Sequence, residues 1–169
     1  PDFRVMVNGV LERIWAMSDN FISVTPKTGN QTTAHHANVG GVRLALEGLR
    51  NGHPIGFFPA GAMSFGNARG EVLDRPWTHS VIRLIRKAGV PVYPVYFDFR
   101  NSRFFYGLGW ISWKIRTLRV AAEAFNKRGR TAEVYVGTPI DPDVIRSYTD
   151  DVALADFLYR RTYALPKED

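Results

Sequence analysis

One segment constrains the fold more than any other: an apolar run stops at a proline, and a loop of small residues follows it. Residues 55–58 read Ile-Gly-Phe-Phe, and Pro59 ends the run. A helical pattern over residues 77–87 and a second apolar run over residues 92–97 come next. This order predicts a strand–loop–helix–strand unit, because the spacing of the apolar residues changes from that of a strand to that of a helix and back.

The rest of the chain continues this alternation. Further strands are predicted over residues 3–7, 21–24 and 132–136, and further helices over residues 10–17, 38–51, 111–125 and 152–165, with Asp141-Pro142 opening a short helix. The polar residues 27–34 are predicted to form a loop. The apolar run over residues 92–97 is typical of a strand covered on both faces. We therefore predict an α/β fold, a single domain over residues 1–169 with a mostly parallel or mixed sheet flanked by helices.

Composition limits the class of protein. The chain contains no cysteine, which excludes disulfides and thiolate metal sites, and no metal site is predicted. No apolar run reaches the roughly 18 residues of a membrane-spanning helix, and no signal peptide is visible. The first residue is Pro1 and residues 3–7 already have the pattern of a strand, so we expect the sequence to be a piece of a longer protein.

Positive charge is concentrated in one segment. Residues 100–130 contain eight basic residues and one acid, Glu123, in a chain whose net charge is +6. Of the 22 basic residues 17 are arginine, whose planar guanidinium binds phosphate through several donors. The segment indicates an anionic partner such as a phospholipid surface, a nucleic acid or a phosphorylated cofactor. A solvated basic face without a partner explains the same pattern.

The loop after Pro59 has the composition of an anion-binding turn. Gly61 permits a backbone conformation that bulkier residues avoid, and Ala60 and Ala62 leave the backbone open to close approach. Such a loop directs N–H groups at an anionic oxygen, either of a phosphate or of an oxyanion. Small-residue loops after strands are also common without any ligand. The candidate binding residues of this loop are Phe58, Pro59, Ala60, Gly61, Ala62, Met63 and Ser64.

Polar residues also follow the strand predicted over residues 92–97. Arg100 and Asn101 lie just beyond it, at the carboxyl end where ligands bind in α/β sheets. We include both as candidate binding residues. Arg69 and Arg75, which follow the small-residue loop, are further candidates for gripping an anion, although a surface arginine is more often only solvated.

These motifs, in this order, resemble the glycerolipid acyltransferase superfamily, whose members carry an H-x-x-x-x-D motif and an F-P-E-G-T-R-S motif. The resemblance rests on F-P-A-G at residues 58–61, V-P-V-x-P-V at residues 90–95 and R-N-S at residues 100–102. The chain looks closest to the hemolysin-like branch that includes lyso-ornithine lipid acyltransferases. The resemblance continues through Phe104-Phe105-Tyr106, Arg116, residues 126–129 and residues 136–140, and it covers most of residues 1–140.

The resemblance implies acyl transfer from acyl-CoA or acyl carrier protein to a hydroxyl of a lysolipid, in phospholipid or ornithine-type lipid biosynthesis, with no bound cofactor. In that mechanism a histidine acts as general base on the hydroxyl, and an aspartate five residues later orients it. No H-x-x-x-x-D motif occurs in this chain, and the family places it before the strand predicted over residues 3–7. We therefore expect the catalytic residues upstream of Pro1, none in this chain, and little or no activity from residues 1–169 alone.

The four histidines of the chain do not replace that motif. His35 and His36 are predicted to lie in a polar loop before a helix, His79 in the first turn of its helix and His53 in a turn. None of them is followed by a carboxylate five residues later. An exposed loop histidine is usually only solvated.

The chain departs from the family pattern at charged positions. Ala60 replaces the acid of the F-P-E-G motif, and Ala62 occupies the place where a branch variant carries its glutamate. Val24 replaces the arginine that would hold the phosphate of the acceptor. The resemblance therefore implies that glycerol 3-phosphate and lysophosphatidate are less favoured acceptors.

Residues 104–119 interleave Phe, Tyr and Trp with Lys and Arg. This pattern is typical of a membrane interface, where rings lie at the lipid boundary and cations at the head groups. It also suits nucleic acid, or rings that simply cover the sheet. We predict a peripheral protein at the cytoplasmic face of the inner membrane. The alternatives are a non-catalytic relative that binds anionic lipid and, less favoured, a nucleic-acid-binding module.

Overall fold

The computed structural model describes residues 2–8, 19–24, 31–67 and 69–167. None of the helices in these ranges is long and apolar enough to cross a membrane. The described strands are β1 (Arg4–Asn8), β2 (Phe21–Val24), β3 (Ile55–Phe57), β4 (Phe65–Gly66), β5 (Val72–Leu73), β6 (Val95–Asp98) and β7 (Glu133–Val136). The described helices are α1 (Gln31–Arg50), α2 (His79–Ala88), α3 (Arg103–Ile111), α4 (Trp113–Leu118), α5 (Val120–Asn126), α6 (Pro142–Ser147) and α7 (Asp151–Ala164).

The chain divides into two compact units, each made of helices and small sheets. The first unit comprises Pro1–Gly61, Trp77–Val92 and Ile140–Ala155, and the second comprises Ala62–Pro76, Tyr93–Pro139 and Asp156–Asp169. This mixture of elements is compatible with the predicted α/β class. A single acyltransferase-like domain with one sheet stays a prediction, because the described strands form three separate sheets.

The first unit is built on a three-stranded parallel sheet with β1 in the middle. Val5 of β1 lies opposite Phe21 of β2, and Arg4 lies opposite Ile55 of β3. All three strands run in the same direction, so their carboxyl ends share one edge of the sheet. The loop that begins at Phe58 leaves from that edge, as the sequence predicts.

The core of the first unit joins this sheet to α1 and α2. One cluster of this core has Ile22, Ala45 and Leu84 as buried residues, and Val42 and Leu46 of α1 pack against them. The spacing of these three α1 residues is that of one helical face.

The predicted start of α1 is wrong, because the helix begins at Gln31 rather than near Asn38. Asn38 is a typical helix-capping residue, which suggested a start there. The loop prediction over residues 27–34 is therefore also wrong in its last four residues. Residues 27–30, and the helix predicted over residues 10–17, lie outside the described residues.

α2 begins at His79 rather than at Trp77, and its apolar residues lie on the buried side. Ile82, Leu84 and Ile85 are buried. Gly89 ends the helix with φ of +64°, the left-handed conformation that closes many helices. Asp151 at the start of α7 accepts ion pairs from Arg83 and Arg86, at 2.8 and 2.7 Å.

The second unit contains two antiparallel strand pairs, β4 with β5 and β6 with β7. The prediction of a strand covered on both faces over residues 92–97 is wrong. β6 begins at Val95, pairs only with β7 among the described residues, and leaves Val95 and Phe97 exposed. Pro94 lacks a backbone donor and delays the start of the strand. The apolar character of the segment was mistaken for burial.

Two short helices, α4 and α5, occupy the region that the sequence predicts to be wholly or partly helical over residues 111–125, and α3 precedes them. α3 was not predicted; it begins after Ser102, whose hydroxyl accepts a hydrogen bond from the Phe105 amide at 3.1 Å. Phe105 is buried and is the largest fully buried side chain among the described residues. In the first unit, the predicted cap of α6 is confirmed, since the Asp141 carboxylate accepts from the Asp143 amide at 2.7 Å.

Candidate functional site

The predicted anion-binding loop begins in the first unit, directly after β3. The Gly61 amide donates to the Phe58 carbonyl at 3.0 Å and closes a tight turn, with Gly61 at a φ of +62°. This conformation explains why glycine stands there. The Pro59 carbonyl accepts from the amide and the hydroxyl of Thr78, at 3.0 and 3.2 Å. Ala60 is buried, whereas Phe58 and Gly61 are exposed.

The loop continues into the second unit with Ala62, Met63 and Ser64. Among the described residues, the amides of Ala62 and Met63 donate no hydrogen bond, and Ala62 is exposed. As far as the described part of the chain shows, these two N–H groups are available to an anionic oxygen. Ser64 is different, because its hydroxyl already donates to Asp74 at 2.7 Å.

Asp74 and Tyr163 fix the end of this loop, and sequence reasoning missed both. The Tyr163 hydroxyl hydrogen-bonds to the Asp74 carboxylate, and burial together with this bond raises the pKa of Tyr163 far above its ordinary value. Tyr163 stacks on Tyr159 and packs edge-on against Tyr96. The phenol therefore stays protonated and remains a donor to Asp74. No local pattern pairs these residues, which lie far apart in the chain.

A buried arginine lies against the same end of the loop. Arg116 is 6% exposed, and its Nη1 donates to the Ser64 carbonyl at 3.3 Å. Its guanidinium carbon lies 5.7 Å from the centre of the Phe105 ring. Gly109 allows the close approach, since a Cβ there would lie 3.1 Å from Nη1.

Arg116 has no counter-ion among the described residues. Its Nε is buried without a hydrogen-bond partner there, and no carboxylate in the described ranges forms an ion pair with it. An unpaired buried cation is costly, and its positive charge favours negative charge nearby. The sequence resemblance included Arg116 but gave it no role. The burial of Arg116 next to Ser64 was not predictable, because the basic residues of segment 104–119 have the composition of an exposed surface.

The other predicted binding residues lie elsewhere in the second unit. Arg69 is exposed in the β4–β5 connection, where its amide donates to the Asn67 side chain at 2.9 Å. Arg75 is exposed after β5. The Arg100 carbonyl accepts from Lys127. The Asn101 amide donates to the Tyr106 hydroxyl at 3.3 Å. Among the described residues, no hydrogen bond or ion pair joins these four side chains to the Ala62–Ser64 part of the loop, so their binding roles stay predictions.

The histidines are distributed differently from the prediction. His35 and His36 lie inside α1, not in a loop. His53 Nδ1 lies 3.2 Å from Asp2 Oδ2, at the amino edge of the parallel sheet, opposite the edge from which the loop leaves. His79 begins α2 as predicted, directly after Thr78. It adds to the lowering of the Asp151 pKa, which is caused mainly by the hydrogen bond from Arg83.

The chain is similar to two proteins that are named as acyltransferases. No family model matches the chain. The chain is 28% identical over 143 residues to a lyso-glycine lipid O-acyltransferase of Phocaeicola vulgatus, covering 81% of this chain and 48% of that protein. It is 29% identical over 143 residues to a protein of the same name from Bacteroides thetaiotaomicron, covering 81% of this chain and 50% of that protein.

The chain therefore spans about half the length of the curated relatives it matches. Both relatives are named as acyltransferases whose substrate is a lysolipid. The similarity agrees with the resemblance that the sequence motifs suggested, at the level of lysolipid O-acylation.

Proposed function

We propose that the natural protein containing this chain is a lysolipid O-acyltransferase that uses acyl-CoA or acyl carrier protein as its donor. The observation that carries the proposal is the similarity, over four fifths of the chain, to two proteins named for this reaction. The exposed loop with two available amides is the structural feature that fits it. The proposed location is the cytoplasmic face of the inner membrane, as a peripheral protein.

In the proposed reaction the hydroxyl oxygen of the lysolipid attacks the carbonyl carbon of the acyl thioester. A base removes the hydroxyl proton as the new C–O bond forms, and the carbonyl oxygen becomes an oxyanion. The oxyanion collapses, the C–S bond breaks, and the thiolate takes up the proton. The base is expected from the H-x-x-x-x-D motif that the resemblance places before Pro1.

The contribution of this chain is stabilisation of the oxyanion. The amides of Ala62 and Met63 donate to it, and amide donors preorganised for an oxyanion are worth about 100- to 1,000-fold in rate each. Arg116 does not touch the oxyanion in this scheme. It positions the loop through the Ser64 carbonyl and adds positive charge behind it.

The acceptor in this proposal carries no phosphate next to its hydroxyl. Val24 stands where the resembled family holds a phosphate with arginine, and Ala60 removes the loop carboxylate. The two relatives are named for a lyso-glycine lipid. We therefore favour a glycine-type lysolipid over the ornithine-type and phospholipid acceptors that the sequence also suggests.

The test is turnover by the full natural protein. Palmitoyl-CoA is offered with lyso-glycine lipid, lyso-ornithine lipid or lysophosphatidate, and both thiol release and diacyl product are measured. We expect product with lyso-glycine lipid at least tenfold faster than with lysophosphatidate. Thiol release without lipid product, or no turnover with either acyl-CoA or acyl carrier protein, contradicts the proposal. Lipid binding without turnover would favour the non-catalytic alternative, which the missing charges at positions 24 and 60 suggest.

Arg116→Met in the same assay tests the role of the buried cation. We expect kcat to fall roughly 10- to 100-fold with KM little changed, because the lost charge acts on the oxyanion. Stability should change by no more than about 1–2 kcal/mol, since an apolar side chain avoids the desolvation of a buried charge. Arg128→Met, at an exposed arginine, is the control. Equal loss of activity and of folded protein would show that Arg116 is only structural.

A further inference from the structure

The helices α3, α4 and α5 of the second unit expose a run of large apolar side chains to solvent. Single exposed apolar residues are ordinary, but an accumulation within one short segment marks a contact surface. We name this set the α3–α5 surface. Its residues are 48–83% exposed: Phe104, Trp110, Ile111, Ile115, Leu118 and Phe125.

The exposed charges that the structure describes within residues 100–130 are positive. Arg103, Arg128 and Arg130 are exposed, and the Arg119 guanidinium lies 4.7 Å from the centre of the Phe104 ring. Glu123 is the one acid of residues 100–130, and it is only 2% exposed. It accepts hydrogen bonds from the Ser102 amide and hydroxyl, at 2.9 and 2.7 Å. Residues 100–130 therefore expose apolar side chains and cations to solvent, while their one carboxylate, Glu123, is buried.

This combination favours an anionic lipid bilayer over other partners. Aliphatic side chains such as Ile111 and Leu118 suit an acyl-chain environment, whereas nucleic acid is bound by stacking on rings. A second copy of the chain would bring two cationic rims together, and like charges repel. Arginine beside apolar residues matches the phosphates and acyl chains at the surface of an anionic bilayer.

We infer that the α3–α5 surface docks the protein onto an anionic membrane, with Ile111 and Leu118 entering the interface and the surrounding arginines binding lipid phosphates. This docking rests on the peripheral membrane location given under the proposed function, and it names the surface that makes the contact. The exposed apolar residues and cations of α3–α5 define that surface independently of catalysis.

The experiment is co-sedimentation of the natural protein with sucrose-loaded vesicles. We expect the protein to bind vesicles of phosphatidylcholine with 30% phosphatidylglycerol at least tenfold more tightly than vesicles of phosphatidylcholine alone. Raising the salt concentration should weaken binding, because the cationic contribution is screened. Binding that ignores lipid charge would overturn the inference.

Two pairs of matched variants locate the contact. Ile111→Ser with Leu118→Ser should weaken vesicle binding at least tenfold, whereas Leu44→Ser with Val152→Ser, at exposed apolar residues of the first unit, should leave it unchanged. Arg128→Glu with Arg130→Glu should abolish the preference for anionic vesicles. Arg43→Glu with Arg50→Glu on α1 should reduce it less than threefold. Equal effects from test and control pairs would overturn the inference.

Three other outcomes overturn it as well. One is binding to a single-stranded oligonucleotide without binding to vesicles. Another is a dimer in analytical ultracentrifugation that Ile111→Ser with Leu118→Ser dissociates. The third is loss of the folded state in those variants, which would mean that other parts of the protein cover the surface.

Catalysis is measured separately, with a short-chain lysolipid below its critical micelle concentration. Turnover of that soluble acceptor without vesicle binding would contradict the docking surface and support the proposed acyl transfer. Vesicle binding through the α3–α5 surface without turnover of any acceptor would support the docking surface and contradict the proposed acyl transfer.

Discussion

α2 in the first unit and the α3–α4 pair in the second follow opposite rules. In α2 the apolar residues Ile82, Leu84 and Ile85 are buried, and Arg83 and Lys87 are exposed. In the α3–α4 pair, Ile111 and Leu118 are exposed while Arg116 is buried. Both segments contain similar residues, but only α2 distributes them as a soluble helix on a core does.

The difference shows where stability and function separate. A helix that buries its apolar face contributes folding free energy and needs no ligand to explain it. A buried arginine without a carboxylate partner among the described residues opposes that free energy, and so does a run of exposed apolar side chains. Such costs are expected where a surface or a charge serves a partner. The second unit therefore contains the features on which the proposed membrane contact depends.

The largest effect expected from this comparison is the loss of a buried side chain of α2. Ile82→Ala should lower the free energy of unfolding by about 2–5 kcal/mol, because Ile82 is fully buried and its truncation leaves a cavity. Leu118→Ala, at a residue 83% exposed, should change it by no more than about 0.5 kcal/mol. Urea unfolding of both variants measures the contrast. A cost above 2 kcal/mol for Leu118→Ala would mean that this surface is covered, and the comparison would fail.

Much of the first unit was predictable because its signals are local. The apolar runs of β1, β2 and β3, and the spacing of Val42 and Leu46 on α1, read directly as strands and a helical face. The start of α1 was not predictable, because Asn38 looks like a cap whatever the preceding residues do. The burial of β6 was predicted wrongly, because an apolar sequence does not determine how many strands pair with it or whether helices cover both faces.

In the candidate site, the sequence predicted the backbone turn of the loop at residues 58–64 but not the side-chain contacts around it. The chemistry of Pro59 and Gly61 identifies a turn, and the structure has that turn with Gly61 at positive φ. Asp74 and Tyr163 were missed because the contacts of Asp74 with Ser64 and with Tyr163 depend on the fold and not on sequence spacing. Arg116 was hidden within a segment whose composition resembles a solvated basic face. Its exposure, not its type, distinguishes it from Arg128.

A second test of the comparison concerns Glu123, the acid that the second unit buries. Glu123→Gln should lower the free energy of unfolding at pH 7 by about 1–3 kcal/mol, because a buried charged acceptor loses strength toward both Ser102 donors. Urea unfolding between pH 3 and pH 7 measures it. Glu47→Gln, at an exposed residue of α1, is the control.

The pH dependence of this effect has a defined sign. The hydrogen bond from the Ser102 amide, opposed by burial, holds the pKa of Glu123 below its ordinary value of 4.5. A lowered pKa in the folded state stabilises the protein fully above the unfolded value, and this stabilisation is lost as the pH falls through the folded value. The gap between wild type and Glu123→Gln should therefore be constant from pH 7 to about pH 5.5 and should shrink in more acidic solution. A gap that widens with acid would contradict the assignment.

The smallest expected effects distinguish how α3 and α2 begin. Ser102 caps α3 by accepting from the Phe105 amide and also donates to Glu123, whereas Thr78 precedes α2 without a side-chain cap bond and donates to the Pro59 carbonyl instead. Ser102→Ala should therefore cost about 1–2 kcal/mol of unfolding free energy. Thr78→Val keeps the hydrogen bond from the residue 78 amide to the Pro59 carbonyl, so it should lower the free energy of unfolding by only about 0.5–1 kcal/mol. Thermal unfolding ranks the two. A larger loss of unfolding free energy for Thr78→Val would contradict this ranking. It would mean that the hydroxyl contact with Pro59 stabilises the protein more than the Ser102–Glu123 contact does.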